Sequence, residues 1–563
     1  MRFALGIDFG TESARALLVD CADGSEVGTS VEPYEHGVID ARLPAPDEDV
    51  ELEPDWALQD PRDYVRSLQT AVRRLLADTG VSPDGVVGIG IDFTSCTMLP
   101  TLADGTPLCE LDDLRRVPHA WVKLWKHHAA QPEADRINAV AVERGEPWLP
   151  RYGGRISSEW FFAKALQILD EAPEVYARSD RLIEACDWIV WQLTGVESRN
   201  ACAAGYKAMW SKRDGFPASE YFAALDPRFA DVVDEKMSRT LLSPGAQAGV
   251  LSERAAALTG LRACTPVAVA NVDFHGSVPA TTVTVPGTLV MIMGTSNGHL
   301  LLGDELVDVE GMCGVVEDGI VPGCFGYEAG QSALGDIYGW FTKRAVPPEY
   351  HEAARARGVD VHDVLAEEAA SLRPGETGLL ALDWWNGNRS VLVEADLRGL
   401  LVGMTLATRA PDIYRALIEA TAFGTRVIVE AFEKAGLPVD AIVACGGLPD
   451  RNPFVMQVFA DVTGREIAVA GSRQAPALGA AMFGAVAAGA AAGGHDSIGD
   501  ASRRMAHLSG TSYAPRVEHR EPYDALYGEY VRLHDLFGRG GDDVMRRLKR
   551  LQVDAATATP APA

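Results

Sequence analysis

The chain has 563 residues, 79 acidic against 51 basic, for a formal net charge of −28. So acidic a surface repels nucleic-acid backbones and anionic membranes, leaving any anion site to backbone N–H groups, helix N-termini and bound cations. The length exceeds one core, the nine cysteines form no C-x-x-C and no apolar run is long enough to span a bilayer; two large domains, a cytoplasmic setting and no membrane or nucleic-acid partner are expected.

In chain order, residues 3–9, 13–20 and 26–31 read as three successive strands, and Asp8 interrupts any signal-peptide pattern. The first turn, Gly10-Thr11-Glu12-Ser13, exposes backbone N–H groups and a hydroxyl at its tip. Asp60-Pro61 opens a helix striped by Tyr64, Leu68, Val72, Leu75 and Leu76, and Gly80 ends it. Val86 to Asp92 is a strand running into Asp92-Phe93-Thr94-Ser95-Cys96-Thr97, and a helical piece covers Ser158 to Leu169. A strand from Pro266 to Ala270 precedes Asn271-Val272-Asp273.

The second half repeats the theme. Apolar strands flank Met293-Gly294-Thr295-Ser296-Asn297-Gly298, a second Gly-Thr hairpin over residues 288–302. A helix from about Asp412 to Lys434 follows, stopped by Gly436. Then come a strand (Ala441 to Cys445), Gly446-Gly447, a helix from Asn452, a strand (Glu466 to Ala470) and an Ala-rich helix from Ala475. Two Gly-Thr hairpins, one per half, suggest a duplicated α/β scaffold gripping one nucleotide's phosphates from both sides. The domains expected are 1–280 and 281–545, with a disordered tail over 546–563.

Asp8 either caps its own turn or reaches a Mg²⁺ ion beside the phosphates, since a bare carboxylate there would repel them. Asp273 reads either as a helix N-cap or as a base facing an interdomain cleft. Trp125-Lys126-His127, Lys207 and Glu328 are individually ordinary surface or core residues, yet together they would suit a polyol pocket. Gly446-Gly447 suits close approach to a nucleoside or simply a tight turn, and Ala477 to Ala481 either a neighbouring wall or a close-packed helix. Gly294 to Gly298 also matches G-x-S-x-G, but His299 to Leu302 reads as a returning strand, which excludes a nucleophile elbow. No Gly-Lys-Ser/Thr occurs, which excludes a P-loop.

Ser157 to Lys164, Cys186-Asp187-Trp188, Ala204 to Trp210, Glu328 to Tyr338 and Leu382 to Arg389 add specificity to the two hairpins. With them the chain resembles the FGGY family of carbohydrate kinases, within the hexokinase, Hsp70 and actin superfamily. The resemblance implies two related actin/hexokinase-like (ribonuclease H-like) domains with an interdomain catalytic cleft, and a homodimer. It implies ATP-dependent phosphorylation of L-ribulose to L-ribulose 5-phosphate in L-arabinose degradation, with Mg²⁺ as cofactor. Carried over by position, Asp273 would be the catalytic base and Asp8 would lie at the metal and phosphate site. Gly10, Thr11, Gly294, Thr295 and Ser296 would hold phosphates, and Gly446, Gly447 and Asn452 the adenosine. Cys96, Trp125, Lys207, Asp273 and Glu328 would contact the ketopentose. The rivals are a kinase of D-ribulose, D-xylulose or a pentitol, and a non-catalytic actin-like ATP-binding protein.

Overall fold

The structure, a computed structural model, describes residues 1–44 and 49–557. Strands β1 (Phe3–Phe9), β2 (Ser13–Asp20) and β3 (Glu26–Pro33) form the expected antiparallel run. Helix α1 (Pro61–Thr79) begins where Asp60 accepts the Arg62 N–H and ends at Gly80, whose φ of 65° no β-carbon opposes. β4 (Val86–Phe93) lies parallel to β1. Helix α2 (Phe161–Glu171) starts three residues later than expected because Trp160 is extended, and α3 (Ala201–Lys207) follows. β5 (Gln247–Val250), β6 (Pro266–Ala268) and β7 (Asn271–Val272) complete a seven-stranded sheet of order β5-β6-β4-β1-β2-β3, with β7 beside β4. Helix α4 (Asp273–Ala280) leaves β7 directly.

The second half builds the same pattern. It contains β8 (Thr288–Met293), β9 (Asn297–Gly303), β10 (Gly314–Glu317), β11 (Phe325–Gln331) and the long helix α5 (Ala410–Lys434). β12 (Ala441–Cys445), α6 (Pro453–Thr463), β13 (Ile467–Ala470), α7 (Ala475–Ala488) and β14 (Leu508–Tyr513) follow. Its seven-stranded sheet has the order β10-β11-β9-β8-β12-β13-β14. In each sheet an antiparallel run meets two parallel strands and then an antiparallel edge. The α/β class with two related halves expected from the sequence is therefore the architecture observed.

α7 crosses between the halves. Its Ala and Gly residues form a close-packed helix that lies on the first sheet at β1 and β4. Gly6 and Gly90 are register partners, and a β-carbon on either would fall 1.9 and 1.8 Å from the carbonyl oxygens of Ala477 and Ala480. Gly479 in turn meets the Gly276 carbonyl of α4, where a β-carbon would lie 1.9 Å away. Backbone-to-backbone packing thus fixes α4, and Asp273 at its start, against a helix from the other half. Gly90→Ala is expected to cost about 1–3 kcal/mol or more, as overpacking does. Gly339→Ala, where nothing lies within 4 Å, should be neutral or stabilising. Denaturant melts of the two variants check this, and equal stability would contradict it.

One departure concerns the end of the chain. The stretch from 546 was expected to be disordered, but α8 (Val544–Thr557) covers it as far as 557; residues 558–563 lie outside the described residues. Met545 enters the second core, while Arg546 and Lys549 pair with Glu394 and Asp396. The Ala/Thr-rich composition hid these anchors, all of which lie before residue 550.

Candidate active site

The first hairpin closes with the Gly10 N–H on the Ser13 carbonyl at 3.0 Å, leaving the Thr11 N–H without a backbone partner among the described residues. The Thr11 hydroxyl accepts the Trp125 indole N–H at 3.0 Å, and the Gln59 amide donates to the Thr11 carbonyl at 2.7 Å. The hairpin tip and the Trp125 segment are therefore one unit.

Asp8 stands at the end of β1, with Arg15 3.8 Å away. Facing it is Asp92, which the sequence reading passed over. The tetrapeptide Gly-Ile-Asp-Phe occurs twice, at 6–9 and 90–93, and the two copies pair in register: Asp8 with Asp92, and Phe9 stacked on Phe93 at 4.9 Å. That repeat was the available signal. Asp92 is fully buried and neither of its oxygens has a donor beside it. Burial, then the fields of Asp8 and Asp273, pushes its carboxyl far up; Asp8 is also raised by burial, against the opposing pull of Asp92 and Arg15. Two such carboxyls coexist by sharing a proton or by taking up a cation.

β7 pairs with β4 at Asn271 and Asp92, which brings Asp273 into the same group two residues later. Asp273 is the first helical residue of α4 and not its cap; Val272 precedes the helix, and among the described residues the Asp273 carboxylate accepts the Phe274 N–H alone, at 2.6 Å. Burial and the nearby Asp8 raise its pKa to about 7, against the opposing effects of that N–H and of Lys207. The Phe274 ring fills the space left by Gly298, so the start of α4 also touches the second hairpin.

Lys207, at the end of α3, donates to both oxygens of Glu328 on β11 at 2.9 Å. Burial would raise Glu328, but Lys207 and His275 more than reverse it and hold the carboxyl far below the usual range. Lys207 stays charged because Glu328 outweighs its own burial. His275, stacked on Tyr206 at 3.8 Å, sits 3.1 Å from Glu328 and is held neutral chiefly by burial, so it carries its proton on Nε2 to donate there. Trp160 lies under the Lys207 ammonium at 5.4 Å. Cys96 has a left-handed backbone (φ 57°) and a buried thiol pushed up to about 12 by burial, which leaves it unreactive. Its carbonyl and that of Leu124 both accept from the buried Lys164 ammonium, at 2.6 and 2.7 Å. His127 does not line this group: it is fully buried and bonded to Gln167 and the Ala57 N–H.

In the second hairpin the Gly294 N–H closes the turn on Ser296 at 2.9 Å, again leaving a threonine N–H, that of Thr295, without a backbone partner among the described residues. Gly446 holds a φ of 97°, and a β-carbon there would meet the Met293 carbonyl at 2.5 Å, so its loop lies against this hairpin. Gly447 faces open space. Asn452 caps α6 by accepting the Val455 N–H at 3.1 Å, and its amide points to the Tyr414 hydroxyl at 3.4 Å. The sequence-selected residues thus fall into two groups. One joins Asp8, Cys96, Lys207, Asp273 and Glu328 and includes Trp125 through Thr11; the other gathers Gly294 to Ser296 and Gly446-Gly447, with Asn452 nearby on α6.

Residues 3–278 match the model of the FGGY family of carbohydrate kinases, N-terminal domain, and residues 289–488 that of its C-terminal domain. The chain is 55% identical over 557 residues to a protein named ribulokinase from Geobacillus thermodenitrificans, covering 99% of this chain and 98% of that one. It is 51% identical over 555 residues to a ribulokinase from Mycolicibacterium smegmatis, covering 98% and 97%. A xylulose kinase from Rhodospirillum rubrum shares the fold at a TM-score of 0.78 and 22% identity, with 95% and 98% of the two chains covered. A Plasmodium falciparum glycerol kinase solved with ADP does so at 0.71 and 16%, with 94% and 98% covered. The chain belongs to the FGGY family of carbohydrate kinases, enzymes that carry a phosphoryl group from ATP to a sugar hydroxyl.

Proposed function

We propose that this kinase phosphorylates the terminal C5 hydroxyl of L-ribulose, giving L-ribulose 5-phosphate and ADP. The observation that carries the reading is the buried Lys207–Glu328 pair set beside Asp273, a charged polar group that a pure ATPase switch has no use for. The name ribulokinase, shared by relatives at 51–56% identity over nearly the whole chain, supports ribulose as the sugar. The N–H groups of Thr11 and Thr295, which lack a backbone partner among the described residues, would receive phosphate oxygens, and the Gly446-Gly447 loop with Asn452 the adenosine. Lys207, Glu328, Trp125 and the Cys96 loop would orient the ketopentose, and Asp273 would accept the O5 proton as the γ-phosphoryl transfers in line.

The Asp8–Asp92 group fits a divalent cation. Among the described residues neither oxygen of the buried Asp92 has a donor, and the partly buried Asp8 beside it has Arg15 at 3.8 Å, so a cation would supply the charge that this pair lacks. Mg²⁺ held there would neutralise charge developing on the phosphates. We divide the chain into domains near residue 280 and place it in the cytoplasm, on nine free thiols. We further infer a homodimer, which sedimentation would test.

The test is ADP release across L-ribulose, D-ribulose, D-xylulose and pentitols. L-ribulose leading by kcat/KM supports the proposal; another sugar leading moves the specificity. A pH profile adds a second check. Asp273 must be ionised to act as a base, so kcat/KM should fall tenfold per pH unit below about 7 and level off above it. A profile flat from pH 5 to 8 would remove Asp273 from that role.

A further inference from the structure

β11 carries two faces. Tyr327 and Ala329 enter the second core, whereas Gly326, Glu328 and Gly330 face the first half of the chain. Gly326 admits the Tyr206 hydroxyl, which donates to its carbonyl at 2.7 Å, and Glu328 takes Lys207. The third position is covered by Arg389. A β-carbon at Gly330 would sit 3.4 Å from the Arg389 Cδ, so the arginine stem runs over the strand on the Glu328 side.

The turn behind Arg389 is pinned. The Ser390 hydroxyl accepts the Gly330 N–H at 3.2 Å and lies 3.4 Å from the Cys313 thiol. The anchor leaves the guanidinium itself unsatisfied: among the described residues Arg389 makes no ion pair and no hydrogen bond, and its side chain is open to solvent. Burial acts to lower its pKa and is outweighed by Glu159, Cys313, Glu328 and Cys96, two of which belong to the first half of the chain. An arginine rooted on the second half therefore reaches into the cleft toward residues of the first, with five donors free.

We propose that Arg389 is a sugar-contacting residue, donating a forked pair of hydrogen bonds to neighbouring oxygens of the ketopentose held beside Lys207 and Glu328. It lies on the opposite half from Lys207, Cys96 and Trp125, so the contact would tie sugar binding to closure of the two halves. This rests on the sugar-kinase reading of the same cleft.

The test compares Arg389→Gln and Arg389→Lys with the wild type, measuring KM for L-ribulose and for ATP, the Kd of L-ribulose by tryptophan fluorescence without ATP, and thermal stability. A lost charged hydrogen-bonding group should raise the L-ribulose KM and Kd of Arg389→Gln by about 10- to 100-fold. The ATP KM and the melting temperature should stay within about twofold and a few degrees. Arg389→Lys, which keeps the charge but loses the fork, should fall between the two. Unchanged sugar KM and Kd in Arg389→Gln would overturn the proposal, as would a sugar defect matched by an equal ATP defect. A wild type inactive on every pentulose would instead bring down the function reading itself.

Discussion

Asp273→Asn is expected to lower kcat for sugar phosphorylation by about 10²–10⁴-fold, the range general-base catalysis contributes. The substitution is nearly isosteric and keeps an oxygen able to accept the Phe274 N–H, so α4 should remain docked on α7. The KM for ATP should change little, because Asp273 is proposed to take the sugar proton and offers no donor to the phosphates. Removing one negative charge also relieves Asp8 and Asp92, so the variant should be no less stable than the wild type. Steady-state kinetics with a coupled ADP assay, together with a melting curve, read both effects. A variant retaining more than a tenth of wild-type kcat would show that Asp273 does not take the proton.

Lys207→Met should have the second large effect, and through a different route. The ammonium and the Glu328 carboxylate are both buried, and removing one partner leaves the other charge uncompensated, at a cost of about 3–5 kcal/mol. His275 can donate a single hydrogen bond and softens the loss without cancelling it. The paired change Lys207→Met with Glu328→Met should recover much of that stability, since an apolar pair of similar volume replaces a costly ion pair. It should not recover turnover, because the groups proposed to orient the sugar would be gone. Denaturant melts and kcat/KM on the two variants separate the two roles. Turnover returning with stability in the double variant would make the pair structural only.

Local chemistry made much of the scaffold legible. Asp60-Pro61 and Gly80 mark both ends of α1, and the Gly-Thr turns between apolar runs mark both hairpins, because each signal acts within a few residues. Long-range convergence was not visible in the same way. Lys207 and Glu328 are 121 residues apart and each looks unremarkable alone. Local reading offered them only as possible members of a polyol pocket, and the family resemblance gave them their sugar-binding roles. Asp92 was missed although its Gly-Ile-Asp-Phe repeats that of Asp8, because a carboxylate at a strand end reads as a turn until the register places it against another. The Ala-rich helix gave no sign of its partner. Small residues permit close approach but do not specify what approaches, and the glycines of β1 and β4 that receive α7 lie 390 to 471 residues away. His127 misled for the opposite reason: a polar residue beside Trp125 looked like a pocket donor, yet it satisfies itself in the core against Gln167.

The most direct test of the account is the position of the transferred phosphate. Wild-type protein is incubated with ATP, Mg²⁺ and L-ribulose, and the products are followed by phosphorus and carbon NMR. The account predicts one ester, with phosphorus coupled to C5, formed in step with ADP and absent when the sugar is withheld. Phosphate on another carbon, or ADP formed with free phosphate and no ester, would contradict it.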